Sequence, residues 1–226
     1  MKTEIIMGKE NGKNYKIDLK EYSNILITGV DDYSKSDLIN NILYQLISNN
    51  NRDDVKILPI DVKGVDYKLY DSSSHFMSPI IKEAKYCKEV FEGLVKEIEE
   101  REKKESDSYP LIIMLIAEFD DLMIDTGLDV LPSLEDILKR GSKVGVYTIL
   151  STLYLDNEEY GDYVYKYFNL TASFFDRSKS KFNKFKFIKA NDNSFNLVSN
   201  NKNINRKLKN IIIPKDKIEK MLMYDK

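Results

Sequence analysis

Eight consecutive residues have the types and spacing to hold a phosphate. In Gly29-Val30-Asp31-Asp32-Tyr33-Ser34-Lys35-Ser36 the first glycine, the lysine and the last serine fall where the pattern G-x-x-x-x-G-K-[ST] places them. In that pattern backbone N–H groups cradle phosphates, the lysine reaches them, and the hydroxyl ligates a magnesium ion. Gly29, Ser34, Lys35 and Ser36 are therefore the candidate nucleotide-binding set, with ATP and Mg2+ as weakly held candidate ligands. Ser34 occupies the place of the second glycine, where a side chain obstructs both the backbone conformation and the close approach of phosphate. Asp31 and Asp32 add like charge: a carboxylate about 4 Å from a phosphate costs roughly 1 kcal/mol in a watery site and about 4 kcal/mol in a partly screened one. The stretch reads as a phosphate-loop frame with a reduced grip. No metal ligand is assigned, except Ser36 if Mg-ATP binds.

A second candidate lies further along. Leu111 to Ala117 is an uninterrupted apolar run bounded by Pro110 and Glu118, the signature of a central parallel strand buried on both faces. Acidic groups at the carboxyl end of such a strand stand at the crevice where open α/β sheets bind ligands. In nucleotide hydrolysis an Asp-Glu pair there supplies magnesium binding and water activation. Here the pair is Ala117-Glu118, so Glu118 is the single, residual catalytic candidate.

These groups need a sheet to position them. The chain has 226 residues, 42% hydrophobic and 32% charged, with formal net charge -2. That is enough to bury a full core in one domain over residues 1–226, and it supplies no global field for nucleic acid or membrane. No apolar run reaches a membrane span, and no signal-peptide pattern opens the chain. One cysteine and one histidine exclude an internal disulfide and a His/Cys metal cluster. Cys87 falls on the apolar side of a helical pattern and reads as a core thiol.

Asn24 to Thr28 reads as a buried strand. The apolar positions Leu38, Ile39, Ile42, Leu43, Leu46 and Ile47 then give a helix from Ser36. Val55 to Ile60 is a second strand, which completes a βαβ unit. Residues 1–20 form a hairpin around Asn11-Gly12, and Glu83 to Lys104 is one long helix. Asp129 to Lys139 is a further helix, and Val144 to Thr152 a further buried strand. Tyr160 to Phe168 is a short helix or surface, Ala172 to Phe175 a strand, residues 185–198 a hairpin around Asn191 to Asn193, and Lys217 to Tyr224 a terminal helix. The expected fold is α/β, a mostly parallel twisted sheet flanked by helices, with the strands near Ile25, Val55, Leu111 and Val144 at its centre. Right-handed crossovers then bring Gly29 to Ser36 and Glu118 to one edge.

Several segments in order resemble the motor domains of the FtsK/SpoIIIE family: ILITG of residues 25–29, IDVKGVDYKLYDSSSHFMSPII of residues 60–81, LIAEFDDLM of residues 115–123, and KRGSKVGVYTILST of residues 139–152. The resemblance covers about residues 8–190 and implies a RecA-like P-loop NTPase fold. It also exposes three departures. The family loop resembles GATGSGKS, its strand ends in Asp-Glu, and its last strand is followed by Thr-Gln-Arg, where this chain has Asp32 and Ser34, Ala117, and Thr152-Leu153-Tyr154. Degenerate domains of this kind look most like the C-terminal ATPase domain of EssC-like coupling proteins of type VII secretion. That likeness implies a terminal domain of a longer multi-ATPase protein at the cytoplasmic side of the cell membrane, reached only through the rest of the protein. Its partners would be neighbouring ATPase domains, in a homohexamer of the full-length assembly, and small helical secreted substrates. The alternative is an active or slow ATPase or DNA translocase. Arg177, Lys179, Lys181, Lys184, Lys186 and Lys189 read as a solvated face, so no specific nucleic acid is expected. Tyr154, Tyr160, Tyr163, Tyr165 and Tyr167 are either a contact patch or packing.

Overall fold

The computed structural model describes residues 1–104, 109–153, 160–175, 193–199 and 202–225, the side chains of residues 162 and 163 excepted. The N-terminal hairpin pairs β1 (Glu4–Glu10) with β2 (Lys13–Asp18) through a turn in which Asn11 and Gly12 both take positive φ, 49° and 80°. That is the turn geometry which matches strand twist and favours Asn-Gly. β3 (Asn24–Thr28) leads into α1 (Asp32–Asn49), and β4 (Val55–Ile60) follows. After α2 (Cys87–Lys104) come β5 (Leu111–Ile116), α3 (Phe119–Thr126) and α4 (Leu131–Arg140). The chain continues through β6 (Val146–Thr152), α5 (Gly161–Val164) and β7 (Leu170–Ser173) to β8 (Ser194–Ser199), β9 (Ile204–Lys209) and α6 (Lys215–Tyr224).

Among the described residues these strands form one sheet in the order β2-β1-β9-β8-β7-β3-β6-β5-β4. The stretch from β7 to β4 is parallel, and the stretch from β7 to β2 is antiparallel. The expected parallel core is present, and a four-stranded antiparallel extension makes the sheet mixed. Helices cover both faces. α1 and α6 bury Leu38, Ile42, Leu46, Ile218 and Leu222 against one, and α2, α3 and α4 bury Phe91, Leu94, Phe119, Leu122 and Leu134 against the other. Every residue of β5 is buried, as its unbroken apolar run requires.

Some expected bounds move. β4 is an edge strand rather than a central one. Its free side is covered by residues 75–81, where Ile57 pairs with Phe76 and Ile60 with Ile81. Pro59, which has no N–H to give, fits that edge. β6 starts at Val146 because Gly145 takes φ 75° after a 3-10 turn over Gly141–Val144. α4 starts at Leu131, where Pro132 sits in the first turn, and Asp129 belongs to the preceding 3-10 turn. The strand expected over Ala172 to Phe175 lies at Leu170–Ser173, and the long helix expected from Glu83 begins in full at Cys87. β9, INRKLK, went unread because four of its six residues are polar or basic. The first part of the expected 185–198 hairpin lies outside the described residues.

Candidate functional site

The carboxyl ends of β3, β5 and β6 meet in one crevice, with β6 between the other two. Gly29 leaves β3 at φ 155°, and a Cβ there would lie 2.7 Å from Cβ of Phe174. Only glycine lets β7 approach that closely, with Phe174 N–H donating to the Thr28 carbonyl at 2.8 Å. The loop that follows is shorter than the spacing suggests. α1 begins at Asp32, not Ser36, so only residues 29–31 remain open. Serine at position 34 tolerates helical backbone, its hydroxyl donates to Asp31 at 2.6 Å, and Asp32 suits the positive end of the helix. A cradle that glycine would keep open has become the first turn of a helix carrying two carboxylates.

Lys35 is 1% exposed, and its ammonium lies 2.6 Å from Glu118 and 3.3 Å from Asp32. Lysine and glutamate thus stand on the same edge of the sheet, paired with each other. Glu118 adopts left-handed backbone, φ 45° and ψ 67°, and its N–H donates to the Ser151 hydroxyl at 3.0 Å. Burial pushes its carboxyl above the ordinary carboxylate range, and the hydrogen bond and charge of Lys35 only partly pull it back. Ala117 beside it is buried and brings no polar group to the crevice.

The structure adds two aspartates that spacing did not reveal. Asp61, at the end of β4, is 1% exposed and accepts N–H bonds from Gly64 at 2.8 Å, Asp66 at 2.8 Å and Tyr67 at 3.2 Å. It therefore folds the following loop into a turn that aims Asp66 at α1, where the Ser36 hydroxyl donates to Asp66 at 2.8 Å. Burial raises the Asp66 carboxyl above its ordinary value, the Ser36 bond lowers it, and Asp61 and Asp32 raise it further. The clue in the sequence was an aspartate directly after an apolar strand, the same cue that marked Glu118. An open groove of about 1190 Å³ runs beside this turn, lined in part by Asp32, Tyr33, Ser36, Asp66 and Met223.

At the end of β6, Asp120 accepts from the Thr152 hydroxyl at 2.5 Å, the Leu153 N–H at 2.7 Å and the Tyr160 hydroxyl at 2.5 Å. Tyr160 is buried and stacks edge-on with Phe119 and Tyr165, so this ring packs rather than presenting a contact. Tyr167 donates to Glu135 at 2.6 Å. Tyr154 and residues 177–189 lie outside the described residues, as does the side chain of Tyr163. Cys87 is buried, which pushes its thiol up to about 11 and fits a core role.

A parallel sheet that puts a GxxxxxKS-type turn and an acidic strand end in one crevice is the fold of a P-loop NTPase. Residues 1–108 match the family model described as "FtsK/SpoIIIE family". It is 28% identical over 174 residues to a DNA translocase FtsK of Treponema pallidum, covering 67% of this chain and 22% of the relative. The DNA translocase SftA of Bacillus subtilis is 28% identical over 162 residues, covering 63% and 17%. The chain therefore spans about a fifth of the length of these curated relatives. Among solved structures, the conjugation coupling protein TcpA of pCW3 with ATPγS has TM-score 0.77 at 18% identity, covering all of this chain and 71% of the other. EssC ATPases 2 and 3 from Geobacillus thermodenitrificans give TM-score 0.77 at 15% identity, covering 99% and 49%. EccC ATPases 2 and 3 of Thermomonospora curvata, in complex with a signal sequence peptide, give 0.76 at 11%, covering 94% and 41%. No helix among the described residues is long and apolar enough to cross a membrane.

Lys35 and the N-terminal turn of α1 suit a phosphate once Glu118 and Asp32 give way, and the Ser36 hydroxyl with Asp66 suits a hard cation. Among the described residues no three His, Cys, Asp or Glu side chains converge into a metal site by themselves. A metal here needs oxygens from a bound phosphate, as magnesium usually does.

Proposed function

We propose that this is a nucleotide-responsive but poorly hydrolysing ATPase-type domain that belongs to a longer multi-ATPase coupling protein of the type VII secretion kind. The Lys35–Glu118 pair at 2.6 Å carries the reading. The cation that would meet phosphate is neutralised by the glutamate that would activate water, and each must let go of the other before either can act. Ala117 in place of an acid, Leu153 in place of a polar sensor, and the helical turn at Asp32 weaken turnover further. A framework kept whole around such a site favours a role in assembly with neighbouring ATPase domains and in recognition of small helical secreted substrates. The domain would then sit at the cytoplasmic side of the membrane through the rest of its protein. The likeness to EssC and EccC ATPase domains supports this reading at the level of fold. The test is steady-state phosphate release with Mg-ATP. Turnover should be negligible, and a rate of about 1 per second or more that vanishes in Lys35→Ala overturns the reading.

The second reading is an active DNA translocase domain, favoured by the names of the curated relatives. Duplex-DNA-stimulated phosphate release decides between the two.

A further inference from the structure

We infer that Asp66 stands in for the carboxylate missing at Ala117, and that Ser36 and Asp66 together form the magnesium-side half of a Mg-nucleotide site. The inference rests on Lys35 and Ser36 as a phosphate-binding pair. A serine that ligates a cation must send its proton elsewhere, so that an oxygen lone pair is left for the metal. Ser36 does this, because its O–H donates to Asp66 Oδ1 at 2.8 Å. In a strand ending Asp-Glu the proton would go to the aspartate of β5, and here that position is a buried alanine. Asp66 reaches the same hydroxyl from the neighbouring strand, carried on the turn that Asp61 holds by three backbone N–H bonds. The substitution is of one strand end for the next in the sheet.

A second observation concerns the residue next to Asp66. The Tyr67 hydroxyl is fully buried and has no hydrogen-bond partner, and the charges acting on it are those of Asp66, Asp61 and Glu118. An orphan phenol among carboxylates is costly unless water or a hydrated ion completes it. The charge balance agrees. Among the described residues Asp32, Asp61, Asp66, Glu118 and Asp121 outnumber the lysines near them, Lys35 and Lys63 in the crevice and Lys68 and Lys215 along the groove, and Lys63 is held by Asp121 at 2.7 Å. The divalent cation itself would offset part of that excess, with one or two carboxylates, phosphate oxygens and water completing its shell.

The experiment measures ATPγS affinity by calorimetry in EDTA and in magnesium, for the wild type, Asp66→Asn and Ser36→Ala, with Mn2+ paramagnetic resonance of the ATPγS complex as a second readout. Magnesium should tighten wild-type binding by about tenfold or more. Both variants should lose that gain, and Asp66→Asn should bind ATPγS in EDTA at least as well as the wild type, since it removes a negative charge. If Asp66→Asn keeps the full magnesium effect and an unchanged manganese signal, the inference fails while the phosphate site stands. If ATPγS binds in neither condition, both fail together. A merely structural Ser36–Asp66 bond would move the melting temperature of Asp66→Asn and leave the magnesium dependence unaltered, which also overturns the inference.

Discussion

At the scale of single residues, the Lys35–Glu118 pair has a stability consequence separate from its effect on turnover. Removing one partner of a buried pair leaves an uncompensated charge, which typically costs about 3 to 5 kcal/mol, more than the pair itself contributes. Lys35→Met should therefore destabilise the fold by about 3 kcal/mol at neutral pH, read by urea unfolding. The sign of its pH dependence follows from Glu118, whose carboxyl is already raised from 4.5 by burial. Stability tied to a raised carboxyl is fully present below its unfolded value and is lost as pH rises through the folded one. Without Lys35 that folded value rises further, so the variant should recover much of its loss by about pH 5. Lys35→Met combined with Glu118→Gln should be markedly more stable than Lys35→Met alone. Equal stabilities would mean that the two groups do not interact. Gly29→Ala tests the closest backbone approach in the crevice. Its new methyl would meet Phe174 at 2.7 Å, so a loss of about 1 to 3 kcal/mol is expected.

At the scale of elements, the C-terminal helix α6 is held by one residue beyond its end. Asp225 accepts from Ser73 Oγ at 2.5 Å, from Ser74 N–H at 3.1 Å and from Ser74 Oγ at 2.7 Å, and pairs with His75 Nδ1 at 2.8 Å. Burial alone would raise its carboxyl, and these bonds overcome burial to hold it below the ordinary 3.8. Stability from a depressed carboxyl is present above its unfolded value and is lost as pH falls through the folded one, so the clasp should weaken only below about pH 4. Asp225→Asn should cost about 1.5 to 3 kcal/mol and speed amide exchange in α6 more than in β5. Uniform exchange in both elements would show that α6 is no separate unit. Elements whose core pattern is strong were legible in advance: β3, α1, β4, α2, β5 and the Asn-Gly hairpin. What escaped were features decided by tertiary contact. The early start of α1 depends on Asp31 and Ser34 bonding to each other, and β9 has no apolar alternation to announce it. The approach of Asp66 to Ser36 joins residues thirty apart, and no local spacing encodes it.

At the scale of the whole molecule, charge sets what the surface attracts. With formal net charge -2 and an acidic crevice, the isolated chain should show no duplex-DNA binding at moderate salt and no steep salt dependence. Fluorescence anisotropy checks this, and a steep log-log salt slope would return the translocase reading to first place. The sheet supports the same separation of roles. Its parallel half carries the crevice, while the antiparallel half from β8 to β2 carries none of the candidate site residues. The two regions are joined through α1, since Asn41 donates to the Ile6 carbonyl at 2.7 Å and the Ile6 N–H donates to Gln45 at 2.8 Å. The helix that presents Lys35 and Ser36 is thus fastened at its middle to the N-terminal hairpin. The clasp on α6 also supplies a measurement free of any label. His75 is the chain's single histidine, and both its ring nitrogens are engaged, one by Asp225 and the other by the Asn50 carbonyl at 3.2 Å. One imidazole spin system in a proton–nitrogen correlation spectrum therefore reports whether the C-terminal helix is seated, in the isolated domain and in any larger assembly, without a probe having to be attached.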